Sequence, residues 1–177
     1  MMINTDYKID ALDILLNEDC LSERYYPLIE YKKSMVEGLK NLGCATKNDI
    51  SGISDEALAG AVRMNDLATV GLFRKFLSIY DPKPQKFKEI MKLTSDPAEQ
   101  AAFEELYHLP GVKYTRAFLY FHSGYRTIES FANTTAEEVL IKTAKTISEK
   151  KPACIVPLPK EVRTHIAVAK AFCYRES

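Results

Sequence analysis

Two segments with helical apolar spacing, Ala98 to Tyr107 and Tyr114 to His122, are joined by little more than Leu109-Pro110-Gly111-Val112-Lys113. A connection this short allows only a tight hairpin, so the two helices must be neighbours in space. Gly111 tolerates the positive φ such a turn demands. Val112 is expected to turn inward and plug the gap between the helices. Ala117 is small where the helices should approach closely. Beyond the hairpin, Tyr114, Ala117, Phe118 and Phe121 are expected to face the core, and Gly124 to end the helix.

The rest of the chain carries the same punctuation. Ile9, Leu12, Leu15 and Leu16 recur at helical spacing, so Asp6 to Asn17 reads as a short amphipathic helix. A second short helix runs from Ser22 toward Ile29 and contains Pro27. Ser34-Met35-Val36-Glu37 has the pattern of a capping box, opening a helix that ends near Leu42, with Gly43 in the left-handed position after it. Thr46 and Asp49 start a short helix that Gly52 stops, and Ser54 caps another through Arg63. The apolar pattern resumes from Leu67 to Tyr80 and breaks at Asp81-Pro82-Lys83-Pro84. Gln85 to Leu93 reads as a short helix. Asp96-Pro97-Ala98-Glu99 supplies an N-cap, a proline at the first position and a capping partner. Thr127 caps Ile128 to Asn133, and Thr135-Ala136-Glu137-Glu138 is a capping box for a helix to Ser148. Lys150 to Pro159 is a loop with three prolines. Pro159 opens the last helix, with Val162, Ile166, Ala169, Phe172 and Cys173 on its apolar face. No convincing strand occurs apart from the short run Cys154-Ile155-Val156.

The expected class is therefore all-α. At 177 residues and 46% hydrophobic, the chain makes one large domain or two small ones with a real core. No apolar run approaches the roughly 20 residues needed to cross a bilayer. The N-terminal MMINTDYKIDALD lacks the basic and apolar regions of a signal peptide. Cys20, Cys44, Cys154 and Cys173 are scattered without a C-x-x-C pair, which suits reduced, mostly buried thiols. A cytoplasmic protein with no membrane partner is expected. The formal net charge is zero, yet residues 1–108 carry 13 basic and 18 acidic side chains, and residues 109–177 carry 11 and 6. A polyanionic partner should meet the C-terminal part; the alternative is that the two halves simply attract each other.

An internal repeat emerges on shifting the sequence by 81 residues. Leu28 then falls on Leu109, Lys32 on Lys113, Val36 on Ala117, Gly43 on Gly124 and Thr46 on Thr127. Ile50 falls on Phe131, Ser54 on Thr135, Glu56 on Glu137 and Leu58 on Val139. Caps, helix stops and core positions coincide in one order. In the first copy Glu30-Tyr31-Lys32-Lys33 replaces the glycine hairpin.

Leu109, Gly111, Val112 and Ala117 resemble the helix-hairpin-helix pattern of apolar, any, Gly, apolar, Gly, three of any, Ala, with Lys113 in place of the second glycine. The run Ser123-Gly124-Tyr125-Arg126-Thr127 through Val139-Leu140 is similar to the continuation found in modules of nucleic-acid enzymes and repair proteins. From Leu28 to Phe172 the chain resembles a bacterial domain-of-unknown-function family with two such modules in tandem. The resemblance implies two helix-hairpin-helix repeats, the first degenerate, with an N-terminal helical extension and a C-terminal packing helix. Residues 1–80 would hold the degenerate repeat, 81–97 a linker with a short helix, and 98–177 the second repeat and the final helix. In DNA-binding members the hairpin brings backbone N–H groups to a phosphate at the start of the following helix. Carried over, these positions are Gly111, Val112, Lys113 and Tyr114, with Arg116 and Arg126 nearby.

Other chemistry finds no support in the residues. Lyase-type helix-hairpin-helix glycosylases place a Lys two residues before the Ala, where this chain has Thr115, and no Asp occurs between Gly124 and Ile128. His108, His122 and His165 lack metal-binding spacing and are expected at helix ends or the surface. Glu104-Glu105 and Glu137-Glu138 are adjacent pairs, which suits solvated faces. The tyrosines and phenylalanines are mostly expected in the core, with Tyr25-Tyr26 and Tyr120 candidates for a partner surface. No phosphate-binding loop, nucleophile elbow or zinc-protease motif is present. No catalytic residue, metal or cofactor is expected. Three readings remain: a sequence-independent binder of DNA or other nucleic-acid backbone, a protein-interaction scaffold that has lost that binding, or an enzyme that no motif here identifies.

Overall fold

The computed structural model describes residues 3–81 and 87–175. These residues are helical with no β-strand, and one isolated bridge pairs Lys8 with Thr46. The α-helices are α1 Leu12–Leu15, α2 Lys32–Asn41, α3 Asp55–Val62, α4 Leu67–Ser78 and α5 Phe87–Ile90. They continue as α6 Pro97–Leu106, α7 Tyr114–His122, α8 Ile128–Ala132, α9 Ala136–Lys150 and α10 Pro159–Cys173. Among the described residues no helix is long and apolar enough to cross a membrane. The chain forms two compact units, one of residues 4–81 with 171–177, the other of residues 1–3 with 82–170.

In the unit of residues 4–81, the N-terminal segment is a 3-10 turn, Ile9–Ala11, that runs into α1. Its stripe of Ile9, Leu12, Leu15 and Leu16 is fully buried, as the spacing predicts. Polar bonds fix it to the turn after α2: Ile9 N–H donates to Ala45 O at 3.1 Å, and Asp6 accepts from Asn48 N–H and the Thr46 hydroxyl. Residues Glu23–Tyr31 form a 3-10 helix that includes Pro27 and flows directly into α2. Ser34 is consequently not an N-cap. It lies inside α2, and its hydroxyl donates to Tyr31 O and, across to α3, to Val62 O at 2.9 Å. Helices α2 and α3 touch through Gly38, where an added Cβ would lie 2.0 Å from Ala61 O. Phe76 anchors an aromatic cluster with Tyr25, Phe73 and Tyr80.

The other caps follow the sequence more closely. Thr46 and Asp49 form a reciprocal capping box, and Ser54 and Asp66 accept from backbone N–H groups of α3 and α4. Asp96 caps α6 with Pro97 in the first position, but Glu99 accepts from the Thr94 hydroxyl rather than reaching back to the cap. Thr135 accepts from Glu138 N–H, whereas the Glu138 carboxylate turns to Thr134 and Lys142. That expected box is thus half formed. Helix α9 runs on to Lys150, two residues past the Ser148 expected, and ends on Lys151 at φ 47°. Residues 82–84 of the break expected at Asp81-Pro82-Lys83-Pro84, and the start of the Gln85 helix, lie outside the described residues.

In the unit of residues 82–170, α6 and α7 pack through Phe103 and Phe121, whose rings stack at 4.3 Å. Tyr120 meets Phe131 edge-on at 4.7 Å, and Val162, Ile166 and Ala169 of α10 are buried. Glu105 is half-buried, not on a solvated face, and accepts from Ile128 N–H at the start of α8. Burial raises its carboxyl above the usual value. Tyr120 is fully buried, not a partner surface, and Tyr25 is buried in the other unit. Ile155, by contrast, is 77% exposed.

Candidate nucleic-acid interface

The hairpin is two successive turns that share Leu109. Leu106 O accepts from Leu109 N–H, and Leu109 O accepts from Val112 N–H at 3.2 Å. Pro110 and Gly111 occupy the central positions of the second turn, with Gly111 at φ 76°. This is the type II pattern, which requires a positive φ at the second central residue. A Cβ built on Gly111 would meet nothing within 4 Å, so the glycine is demanded by backbone conformation alone. Leu109 and Val112 are buried on either side of it, and Ala117 has no exposed surface.

Lys113 is extended, with φ −126° and ψ −172°, and precedes α7 without capping it by a side chain. The first intrahelical bond runs from Ala117 N–H to Lys113 O at 2.8 Å. The N–H groups of Tyr114, Thr115 and Arg116 therefore precede the helical ladder, as at any helix start. Gly111, Lys113, Tyr114 and Thr115 are all exposed around them. Tyr114 is 39% exposed, so it does not join the core as its spacing suggested. The turn occupies the Val112 N–H, and the Val112 side chain is buried.

The two arginines have other neighbours. Arg116 forks onto Glu161, with Nε to Oε1 at 2.8 Å and Nη2 to Oε2 at 3.2 Å, and Nη1 donates to Ile155 O at 3.0 Å. Its guanidinium lies 5.9 Å from the Tyr120 ring centroid. Arg116 thus ties the proline loop to α7. Glu161 also accepts from Leu158 N–H at the start of α10. Arg126, just past the Gly124 turn, sits 4.3 Å over the Phe121 ring and is exposed. Lys113 forms no ion pair among the described residues, while Lys32 is 3.2 Å from Asp13.

Beneath the hairpin lies His165 of α10, which sequence spacing assigned to a helix end or surface. It is 2% exposed. Its Nε2 is 2.8 Å from Pro110 O, and its Nδ1 is 2.8 Å from the Tyr120 hydroxyl. Burial pushes the Tyr120 phenol up, so the hydroxyl keeps its proton. Burial also lowers the His122 imidazole, with Lys150 adding to the effect. No group of three or more His, Cys, Asp or Glu side chains among the described residues could hold a metal ion. The four cysteines form no disulfide with one another; Cys20 and Cys44 are buried and the other two partly so. No family model, curated protein or solved structure matches the chain.

Proposed function

We propose that this is a non-catalytic, cytoplasmic protein built on two helix-hairpin-helix repeats, the first degenerate. Its second hairpin would grip nucleic-acid backbone without reading bases. The observation that carries the reading is the exposed Gly111 turn at positive φ, set against the start of α7 beside Lys113, which has no ion pair among the described residues. Backbone N–H groups at a helix start, with a cation alongside, are suited to a phosphate oxygen. The repeat reading is supported by bonds 81 residues apart. Gly43 and Gly124 are at φ 82° and 94°. Cys44 N–H to Leu39 O and Tyr125 N–H to Tyr120 O are both 3.0 Å. Thr46 and Thr127 each cap through a reciprocal box.

Contacts to phosphate alone give weak, sequence-independent and salt-sensitive binding. The test is fluorescence anisotropy with duplex and single-stranded DNA at several salt concentrations. Lys113→Glu should weaken all sequences alike and reduce the slope of log affinity against log salt by roughly 0.9 on duplex. Lys32→Glu should matter less, because Asp13 already neutralises Lys32. The second reading, a protein-interaction scaffold, draws on the exposed apolar side chains of Ile155 and Leu158 and on the engagement of Arg116 with Glu161. Absence of binding at low salt, or indifference to Lys113→Glu, would favour it.

A further inference from the structure

The geometry points to His165 as the positioning residue of the hairpin: through Pro110 O it holds the Pro110–Gly111 peptide in the one orientation that turns the Gly111 N–H away from the core. A carbonyl oxygen can only accept, so the 2.8 Å contact to Pro110 O requires the hydrogen on Nε2. The Tyr120 hydroxyl, also at 2.8 Å, donates to Nδ1 in the neutral ring. That hydroxyl has no second partner among the described residues. The chain Tyr120 O–H to His165 Nδ1, and His165 Nε2–H to Pro110 O, satisfies the hydroxyl and the carbonyl together when Nε2 carries a hydrogen. A buried group left unpaired in any other arrangement would cost free energy.

The consequence for the turn follows from the planar trans peptide, in which C=O and N–H point in opposite directions. With Pro110 O turned toward α10, Gly111 N–H points away from it, on the exposed side of the hairpin. Types I and II differ by rotation of this central peptide, and only type II has the observed positive φ. Pro-Gly favours type II but does not lock it, because glycine takes φ of either sign. The His165 bond supplies the lock. That the outward N–H serves a phosphate rests on the proposed nucleic-acid reading; the lock itself does not.

The experiment has two arms on the full chain. Nitrogen-15 NMR of the wild-type ring reads the tautomer directly, and the Gly111 couplings and shifts read the turn. The expected result is a hydrogen on Nε2. His165→Gln offers one donor and one acceptor at similar reach and should keep the wild-type Gly111 signals. His165→Leu should move them toward conformational averaging. A ring protonated at Nδ1 alone, or unchanged Gly111 signals in His165→Leu, would overturn the assignment. If the leucine variant does not fold, the wild-type tautomer decides. In the second arm, binding to a DNA duplex is measured by anisotropy. His165→Leu should weaken it roughly two- to tenfold, the scale of one hydrogen bond, and His165→Gln should restore it. A leucine variant that binds like wild type would remove the positioning role. If wild type fails to bind, the nucleic-acid reading falls, and the NMR arm alone decides the lock.

Discussion

Gly38→Ala should destabilise the protein, against the ordinary expectation for a glycine inside a helix. Alanine normally gains about 1 kcal/mol over glycine there, because glycine loses more backbone freedom on folding. At Gly38 the new Cβ would lie 2.0 Å from Ala61 O and 2.5 Å from Ala61 C, both backbone atoms of α3. A carbon approaches a carbonyl oxygen no closer than roughly 3.3 Å. Helices α2 and α3 would therefore have to separate by more than about 1 Å. That movement would stretch the bond from the Ser34 hydroxyl to Val62 O, now 2.9 Å, one helical turn away. Overpacking of this kind costs roughly 1–3 kcal/mol, enough to outweigh the helix-propensity gain. Gly60→Ala is the matched control. Gly60 lies in α3, and a Cβ there meets nothing within 4 Å, so that variant should be stabilised by roughly 0.5–1 kcal/mol. Urea denaturation followed by circular dichroism measures both. A Gly38→Ala variant as stable as wild type, or the same sign for both variants, would refute the close-approach argument.

Gly111→Val should cost roughly 1–3 kcal/mol by urea denaturation through backbone strain alone, since space for the side chain is open; an unchanged midpoint would contradict the positive-φ turn. Glu105→Gln keeps an acceptor for Ile128 N–H and removes a charge that burial disfavours. With its folded pKa raised, wild-type Glu105 contributes stability below the ordinary carboxylate range that is lost as pH rises through the raised value. The glutamine variant should therefore gain stability relative to wild type at pH 7 and lose that gain near pH 4, as thermal melts at both values would read. Arg116→Ala should cost roughly 1–2 kcal/mol through loss of the fork to Glu161 and the bond to Ile155 O. An unchanged urea midpoint would show that the fork is too solvated to matter.

Local punctuation was the legible part of the fold. Gly43, Gly111 and Gly124 each follow a helical apolar pattern, and all three have positive φ. Thr46, Ser54, Asp96, Thr127 and Thr135 cap helices because their bonds span two or three residues. Ser34 carried the same local signature and failed, because the preceding 3-10 helix feeds α2 and makes a cap unnecessary. The features that fix the candidate site depend on distant partners. His165 meets residues 45 and 55 positions away, Arg116 meets Glu161 across 45, and Gly38 answers to a carbonyl on α3. Helical periodicity places such residues on a face but does not say which atoms await them. Tyr120 shows the same limit, since its ring and hydroxyl are covered by α10 and α8, elements that no local window includes.

The segments around Lys32 and Lys113 differ at the entry to their helices and agree at the exit. Leu42 N–H to Gly38 O and Ser123 N–H to Leu119 O are alike, as are Gly43 N–H to Lys40 O and Gly124 N–H to Phe121 O. At the entry, Lys32 N–H donates to Ile29 O of the 3-10 helix, and Tyr31 is already right-handed helical at φ −90° and ψ −3°. Helix α2 thus begins without the break that exposes backbone donors, and Asp13 neutralises the adjacent lysine. Helix α7 begins after an extended Lys113, with the type II turn before it. A gap in the backbone ladder precedes α7 and is missing at α2, and of the two lysines 81 residues apart Lys32 is paired with Asp13 while Lys113 has no ion pair among the described residues. Any phosphate contact that depends on the two together belongs to the second segment, which is why Lys32→Glu serves as the control for Lys113→Glu.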